Sequence, residues 1–159
     1  MLNRYSTEIF AQRAVDIIRT HNQTLPLLLY VAMQSAHSPL EVPDKFASEY
    51  ASHPACQQYR TGGGSPAAGP SYVCGGPGGG KYCPCNRMVV SAMVTALDAA
   101  VGNITDALVA TGMWEHTVFV FAGDNGGPQM LSHWNGGLRG GKWTWFVYVY
   151  MFMCVFVSG

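Results

Sequence analysis

The chain has 159 residues, enough for one domain with its own core. Nine basic and nine acidic residues cancel, and only 11% of the residues are charged. This composition argues against a nucleic-acid-binding surface and against a basic membrane-binding face. The longest apolar run, Trp145 to Val157, is shorter than the ~20 residues that a transmembrane helix needs. The first ten residues, MLNRYSTEIF, contain no apolar segment typical of a signal peptide.

The first half of the chain predicts a helix followed by a strand. Ser6 or Thr7 can cap a helix that ends near Thr20. Its predicted core stripe consists of apolar residues at helical spacing: Ile9, Phe10, Ala14, Ile17 and Ile18. The run Leu27 to Met33 is continuous and apolar, which predicts a strand buried on both faces. A polar loop, QSAHSP, follows this strand.

Residues 51–86 differ in composition from the rest. The strings TGGGSPAAGP and CGGPGGGKYCPC have no periodicity and few large apolar residues. Such a segment buries too little surface to offset the entropy of ordering it, so we expect a disordered insert. The five cysteines are an odd number, and four of them lie in or beside this segment. Unpaired thiols fit this pattern better than a zinc site does.

After this segment the sequence predicts a helix from Met88 to Ala110, for which Gly112 is a plausible C-cap. The run Thr117 to Ala122 then predicts a buried strand. A strand, a helix and a second strand indicate a βαβ crossover, a parallel pair and an α/β fold. In such sheets ligands bind outside the carboxyl ends of the strands.

Polar residues follow both predicted strands. His37 lies beyond the first, and Asp124 and Asn125 directly follow the second, in AGDNGG. If the strands are neighbours and parallel, these residues share one edge of the sheet. A carboxylate and an amide oxygen are ligands for Ca²⁺ or Mg²⁺, but Asp, Asn and Gly are also ordinary turn residues.

Basic residues come shortly afterwards, in GGLRGGKW. A cation, Lys142 and His37 around an oxyanion would suit hydrolysis of a sulfate or phosphate ester. The alternatives are a solvated basic loop and a histidine satisfied by the backbone. Two sequons make Asn22 and Asn103 candidate N-glycosylation sites, which would suit a protein of the secretory route.

Five strings together resemble the sulfatase family, in the group of arylsulfatases B, I and J. In chain order they are YSTEIFAQRAVDII, PLLLYVAMQSAHSPLEVP, ALDAAVGNITDAL, TVFVFAGDNGG and LRGGKWTW. The resemblance implies an alkaline-phosphatase-like α/β fold with a parallel-sheet core, incomplete in this chain. It also implies a Ca²⁺-dependent hydrolase of sulfated small molecules or glycosaminoglycans, in the lysosome or secreted.

The resemblance assigns roles to single residues. Asp124 and Asn125 match the family's later pair of calcium ligands. His37 matches a histidine that contacts the substrate sulfate and helps to protonate the leaving group, and Lys142 matches a sulfate-binding lysine.

The chain also departs from the family pattern. An early aspartate pair completes the family's calcium site, and the cysteine of a C-x-P-S-R motif becomes the formylglycine nucleophile; neither motif occurs in these 159 residues. We therefore expect 1–145 to be a partial, inactive sulfatase domain interrupted by the 51–86 insert. Residues 146–159 form an aberrant apolar tail, which we expect to derive from misread coding sequence; the insert is a second candidate for the same origin. Two alternatives stay open, a non-catalytic pseudo-enzyme or interaction module and a metal-dependent phosphate-ester hydrolase.

Overall fold

The structure, a computed structural model, describes residues 5–50, 72–74, 86–127, 141 and 151–157. At 72–74, 86–87 and 151–157 only the backbone enters the description. The regular elements are α1 (Ser6–Thr20), β1 (Leu27–Val31), β2 (Leu40–Val42), α2 (Asp44–Ala47), β3 (Tyr72–Cys74), α3 (Asn86–Ala110), β4 (Thr117–Gly123) and β5 (Met151–Val157). Single 3-10 turns lie at Ser48–Tyr50 and Trp114–His116.

Helix α3 is the centre of the core. The apolar residues that helical spacing predicts on its inner face are Val89, Met93, Leu97, Ala100, Val101, Ile104 and Leu108. All are buried except Val101, which is half-buried. The helix ends as predicted, because Gly112 takes φ 74° and donates its N–H to the Val109 carbonyl at 3.0 Å. The Met113 N–H bonds to the Leu108 carbonyl at 2.9 Å, which completes a Schellman motif. The predicted C-cap is confirmed.

The same helix is long and apolar enough, over Met88–Ala110, to cross a membrane. Core helices of soluble proteins meet the same criterion, and α3 contributes to two buried clusters. The expected absence of a transmembrane span stays a prediction.

Helix α1 packs against the second half of α3, where Ala14 and Ile18 join Ile104 and Leu108 in one buried cluster. Its predicted end at Thr20 is confirmed, but the predicted cap is wrong, because Tyr5 occupies the N-cap position without a side-chain bond. The predicted stripe is confirmed in part: Ala14 and Ile18 are buried as expected, but Thr7, Ala11 and Val15 complete the buried face. Ile9 and Phe10 are exposed instead, because α3 covers only one side of α1.

The main sheet has the order β1-β5-β4, and both pairings are antiparallel. Since β1 and β4 each run opposite to β5, they run in the same direction, as the crossover predicts. The predicted parallel pairing is nevertheless wrong for the described strands, because β5 from the apolar tail lies between them. The structure thus makes part of the tail a central strand, while its proposed aberrant origin stays a prediction.

The sheet is covered on one face only by the helices. Leu29 and Val31 of β1 and Phe119 of β4 pack against the helical cluster. Leu28 is 61% exposed and Val118 62% exposed on the other face. The expectation that both strands are buried on two faces was therefore wrong: in the described part of the chain no second layer covers this surface.

A second cluster joins β2 and α2 to the first half of α3, through Val42, Ala47, Val89 and Met93. Strand β2 pairs antiparallel with β3, which lies inside the segment expected to be disordered. That expectation fails for Tyr72–Cys74, because pairing with β2 satisfies backbone groups that a β-prone Tyr-Val pair presents. Other residues of 51–85 lie outside the described part.

Candidate active site

The loop that carries His37 is attached to the start of α1 by hydroxyl groups. Thr7 is fully buried, and its Oγ1 lies 2.6 Å from the Ser35 Oγ. The Tyr5 hydroxyl lies 3.2 Å from the same Ser35 oxygen. A buried hydroxyl is costly unless it is hydrogen-bonded, so this contact holds the loop next to the helix. The loop also contains cis peptide bonds at Ser35–Ala36 and Ser38–Pro39.

His37 is exposed, and its backbone and ring both bond within the loop. Its N–H donates to the Gln34 carbonyl at 2.9 Å, which forms a tight turn. The ring Nδ1 lies 2.7 Å from the Ser38 carbonyl oxygen. A carbonyl only accepts, so Nδ1 carries the proton and Nε2 carries the lone pair of a neutral ring. To donate a proton from Nε2, the ring must first be doubly protonated.

The second polar segment directly follows β4. Gly123 is buried, Asp124 is exposed and Asn125 is half-buried. The Asn125 Nδ2 donates to the Gly126 carbonyl at 2.9 Å. This bond identifies the nitrogen end of the amide and makes Oδ1 the atom that can ligate a cation. The turn thus presents a carboxylate and an amide oxygen at adjacent positions, the oxygen chemistry that Ca²⁺ prefers.

The strand register brings both segments to one edge of the sheet. Val31 and Phe121 both pair with Met153, from opposite sides of β5. They therefore lie at the same level, two strand spacings or roughly 10 Å apart. The His37 loop leaves β1 just beyond this level, and Asp124 leaves β4 just beyond it. Parallel neighbours were not needed for this juxtaposition, because β5 keeps the two flanking strands in the same direction.

The oxygen donors of the described segments are too few for a complete cation cage. Ca²⁺ takes six to eight oxygen ligands, and no cluster of three or more His, Cys, Asp or Glu side chains occurs among the described residues. Asp124 and Asn125 fit a calcium ion as part of its ligand set. Lys142 lies outside the described residues; its neighbour Gly141 is buried.

Comparison with known proteins identifies the family of the chain. The sulfatase family model matches residues 2–145. The chain belongs to the sulfatase family. It is also similar to arylsulfatase J of Mus musculus, with 32% identity over 141 residues, or 89% of this chain. The chain spans only 19% of that relative's length.

Membership confirms the family resemblance of the sequence. The family's α/β fold is consistent with the mixture of helices and strands in the described residues. The contacts of Thr7 and Tyr5 with Ser35, which hold the His37 loop next to α1, are seen only in the structure. In the sequence Thr7 is indistinguishable from a helix cap, and nothing in the spacing connects it to Ser35, 28 residues away.

Proposed function

We propose that these residues carry the second part of a sulfatase active site. The family reaction is hydrolysis of sulfate esters. In our proposal Asp124 and Asn125 supply two calcium ligands, His37 contacts the sulfate, and Lys142 binds a sulfate oxygen. The observation that carries the proposal is the shared sheet edge of the His37 loop and the Asp124 turn.

The chemistry of each side chain suits its proposed role. Calcium would hold the negative charge of the sulfate, and Lys142 adds a point charge for an anionic oxygen. With Nδ1 bonded to the Ser38 carbonyl, the His37 ring keeps a fixed orientation and can exchange its second proton only at Nε2. A protonated Nε2 could donate to the oxygen of the leaving group.

We propose further that these 159 residues alone do not turn over substrate. Hydrolysis in the family needs the formylglycine nucleophile, and its cysteine motif and the early aspartate pair are absent from the printed sequence. The same absence favours a second candidate, a non-catalytic chain that retains the fold for binding. The substrate class, sulfated small molecules or glycosaminoglycans, and a lysosomal or secreted location are extended from the family as part of the proposal.

Calcium binding tests the metal half of the proposal. We expect millimolar Ca²⁺ to raise the melting temperature slightly, since a partial ligand set binds weakly and stabilisation follows the ratio of ligand to Kd. Asp124→Ala should abolish that small shift. Asp106→Ala, on the exposed side of α3, is the matched control and should retain it. An equal shift in the wild type and Asp124→Ala would contradict the assignment.

Turnover of an aryl sulfate and of the matching aryl phosphate tests the reaction. We expect neither to exceed the blank with the chain alone. Calcium-dependent sulfate release would show an active enzyme, and phosphate release in its place would support a phosphate-ester hydrolase. Sulfate titration followed by histidine NMR should shift the His37 ring and leave the His116 ring unchanged.

A further inference from the structure

A shallow cavity of ≈ 270 Å³ lies where α1, α2 and α3 meet. Four alanines line it, together with Glu8, Lys45, Phe46 and Asn103. Alanines on facing helices leave this space because their side chains are too short to fill it. The volume is below the usual range for a drug-sized ligand, and it suits a single ring.

The polar groups at the rim favour a neutral ligand. Lys45 forms an ion pair with Glu8, and its Nζ lies 5.0 Å from the centre of the Phe46 ring. The two charges compensate each other, so an anion or a cation gains no net attraction there. The lining combines an aromatic ring and alanine methyls with groups that donate and accept hydrogen bonds. A sugar has matching surfaces, with C–H groups on its faces and hydroxyls around its edge.

Asn103 provides the point of attachment. It is the exposed asparagine of the sequon Asn103-Ile104-Thr105, and its side chain lines the cavity. Helical side chains lean over the turn that precedes them, which here contains Ala99 and Ala100 of the cavity wall. A group bonded to the Asn103 amide nitrogen is therefore directed toward the cavity.

We propose that Asn103 carries an N-linked glycan whose first N-acetylglucosamine occupies this cavity, against Phe46 and beside the Lys45–Glu8 pair. In the transfer, the Asn103 Nδ2 forms a bond to C1 of the sugar. The bond from C1 to the diphosphate of a polyprenyl-diphosphate-linked donor breaks, the diphosphate leaves with the bonding electrons, and the amide proton goes to a base. The proposal requires passage through the secretory route and does not depend on sulfate-ester chemistry.

Asn22 is the internal control. It is also a sequon, but it lies in the turn between α1 and β1 and is not among the residues of the cavity. Its Oδ1 accepts from the Thr24 N–H at 3.1 Å and from the Thr24 hydroxyl at 2.9 Å. A glycan on Asn22 would not reach the aromatic ring of the cavity and should project into solvent.

Occupancy is tested on the full chain expressed behind a cleavable secretion leader in mammalian cells that make high-mannose glycans. Peptide mass spectrometry should find a glycan on Asn103, and Asn103→Gln should lose one glycan by gel mobility. An unmodified Asn103 peptide overturns the proposal, whether or not Asn22 is occupied.

The position of the first sugar in the cavity is tested by trimming the glycan to one sugar with endoglycosidase H. Trimmed Asn22→Gln, with a single sugar at Asn103, should melt about 2–4 °C above the double variant Asn22→Gln/Asn103→Gln. Trimmed Asn103→Gln, with a single sugar at Asn22, should have the same melting temperature as the double variant. An equal gain in melting temperature from both sugars, or no gain from either, overturns the proposed position of the first sugar in the cavity.

The lining is tested by Phe46→Leu in the same backgrounds, which should remove the gain at Asn103. Lys45→Gln, on an exposed side chain, provides a second variant should Phe46→Leu fail to fold, and it should reduce the gain. A gain that is unchanged in the folded variants places the sugar elsewhere and contradicts the proposal.

Discussion

The two faces of the three-stranded sheet have nearly the same composition but different surroundings. On the inner face Val31 is 8% exposed and packs on α1 and α3. On the outer face of the same strand Leu28 is 61% exposed. Both belong to one apolar run, so sequence hydrophobicity alone does not distinguish them. The difference shows that burial in this chain is decided by where the helices lie.

The largest expected effect is the difference in stability between alanine substitutions on the inner and outer faces of the sheet. We expect Val31→Ala to lower the free energy of unfolding by about 2 kcal/mol, since it removes buried methyl groups and leaves a cavity. Leu28→Ala, which removes more carbon but from the exposed face, should cost less than about 0.5 kcal/mol. Urea denaturation of the two variants makes the comparison. Equal losses would mean that the outer face is covered in solution.

Two glycines at α3 should respond in opposite ways to substitution by alanine, which tests the helix layer. Gly112 has φ 74°, so Gly112→Ala should destabilise by about 1–2 kcal/mol. Gly102 lies inside α3, and a Cβ there meets nothing within 4 Å. Gly102→Ala should therefore stabilise by about 0.5–1 kcal/mol. Thermal melts of both variants test this, and a loss of stability in Gly102→Ala would argue against a continuous helix at that point.

An effect of the same order as those of the two glycines concerns the loop that follows β1. Thr7→Val keeps the shape of the buried side chain but removes the hydroxyl bonded to Ser35, at a cost of about 1 kcal/mol. Amide exchange at His37 should also become faster, because its loop loses an anchor. Thr20→Val, at an exposed hydroxyl, is the control and should leave His37 exchange unchanged. Exchange unaffected by Thr7→Val would separate Thr7 from the site.

Much of the helical structure can be predicted from the sequence. The α3 face and its glycine cap follow from the 3.6-residue period and from the need for positive φ, both of which are local. The α1 face was misjudged because Ile9 and Phe10 are as apolar as the residues that are buried. Periodicity identifies an apolar stripe, but the neighbouring helix decides which part of it is covered.

The strands show a different limit. The common direction of β1 and β4 follows from the crossover, and so does the shared edge of His37 and Asp124. Their separation by β5 could not be predicted, because pairing depends on a strand about 30 residues further along the chain, whose β-prone run carries no information about its partners. The Thr7–Ser35 contact was missed for the same reason.

Manganese, used in place of calcium, tests the central claim that the Asp124 turn and the His37 loop share one edge of the sheet. Mn²⁺ accepts the same oxygen ligands and broadens nearby NMR signals. His21 precedes β1 and His116 precedes β4, so both lie at the opposite edge, beyond strands of roughly 17–23 Å. We predict that Mn²⁺ broadens the His37 ring signals before those of His21 and His116, and that Asp124→Ala/Asn125→Ala abolishes this selectivity. Equal broadening of all three rings, or His37 broadening that persists in the double variant, would contradict the account.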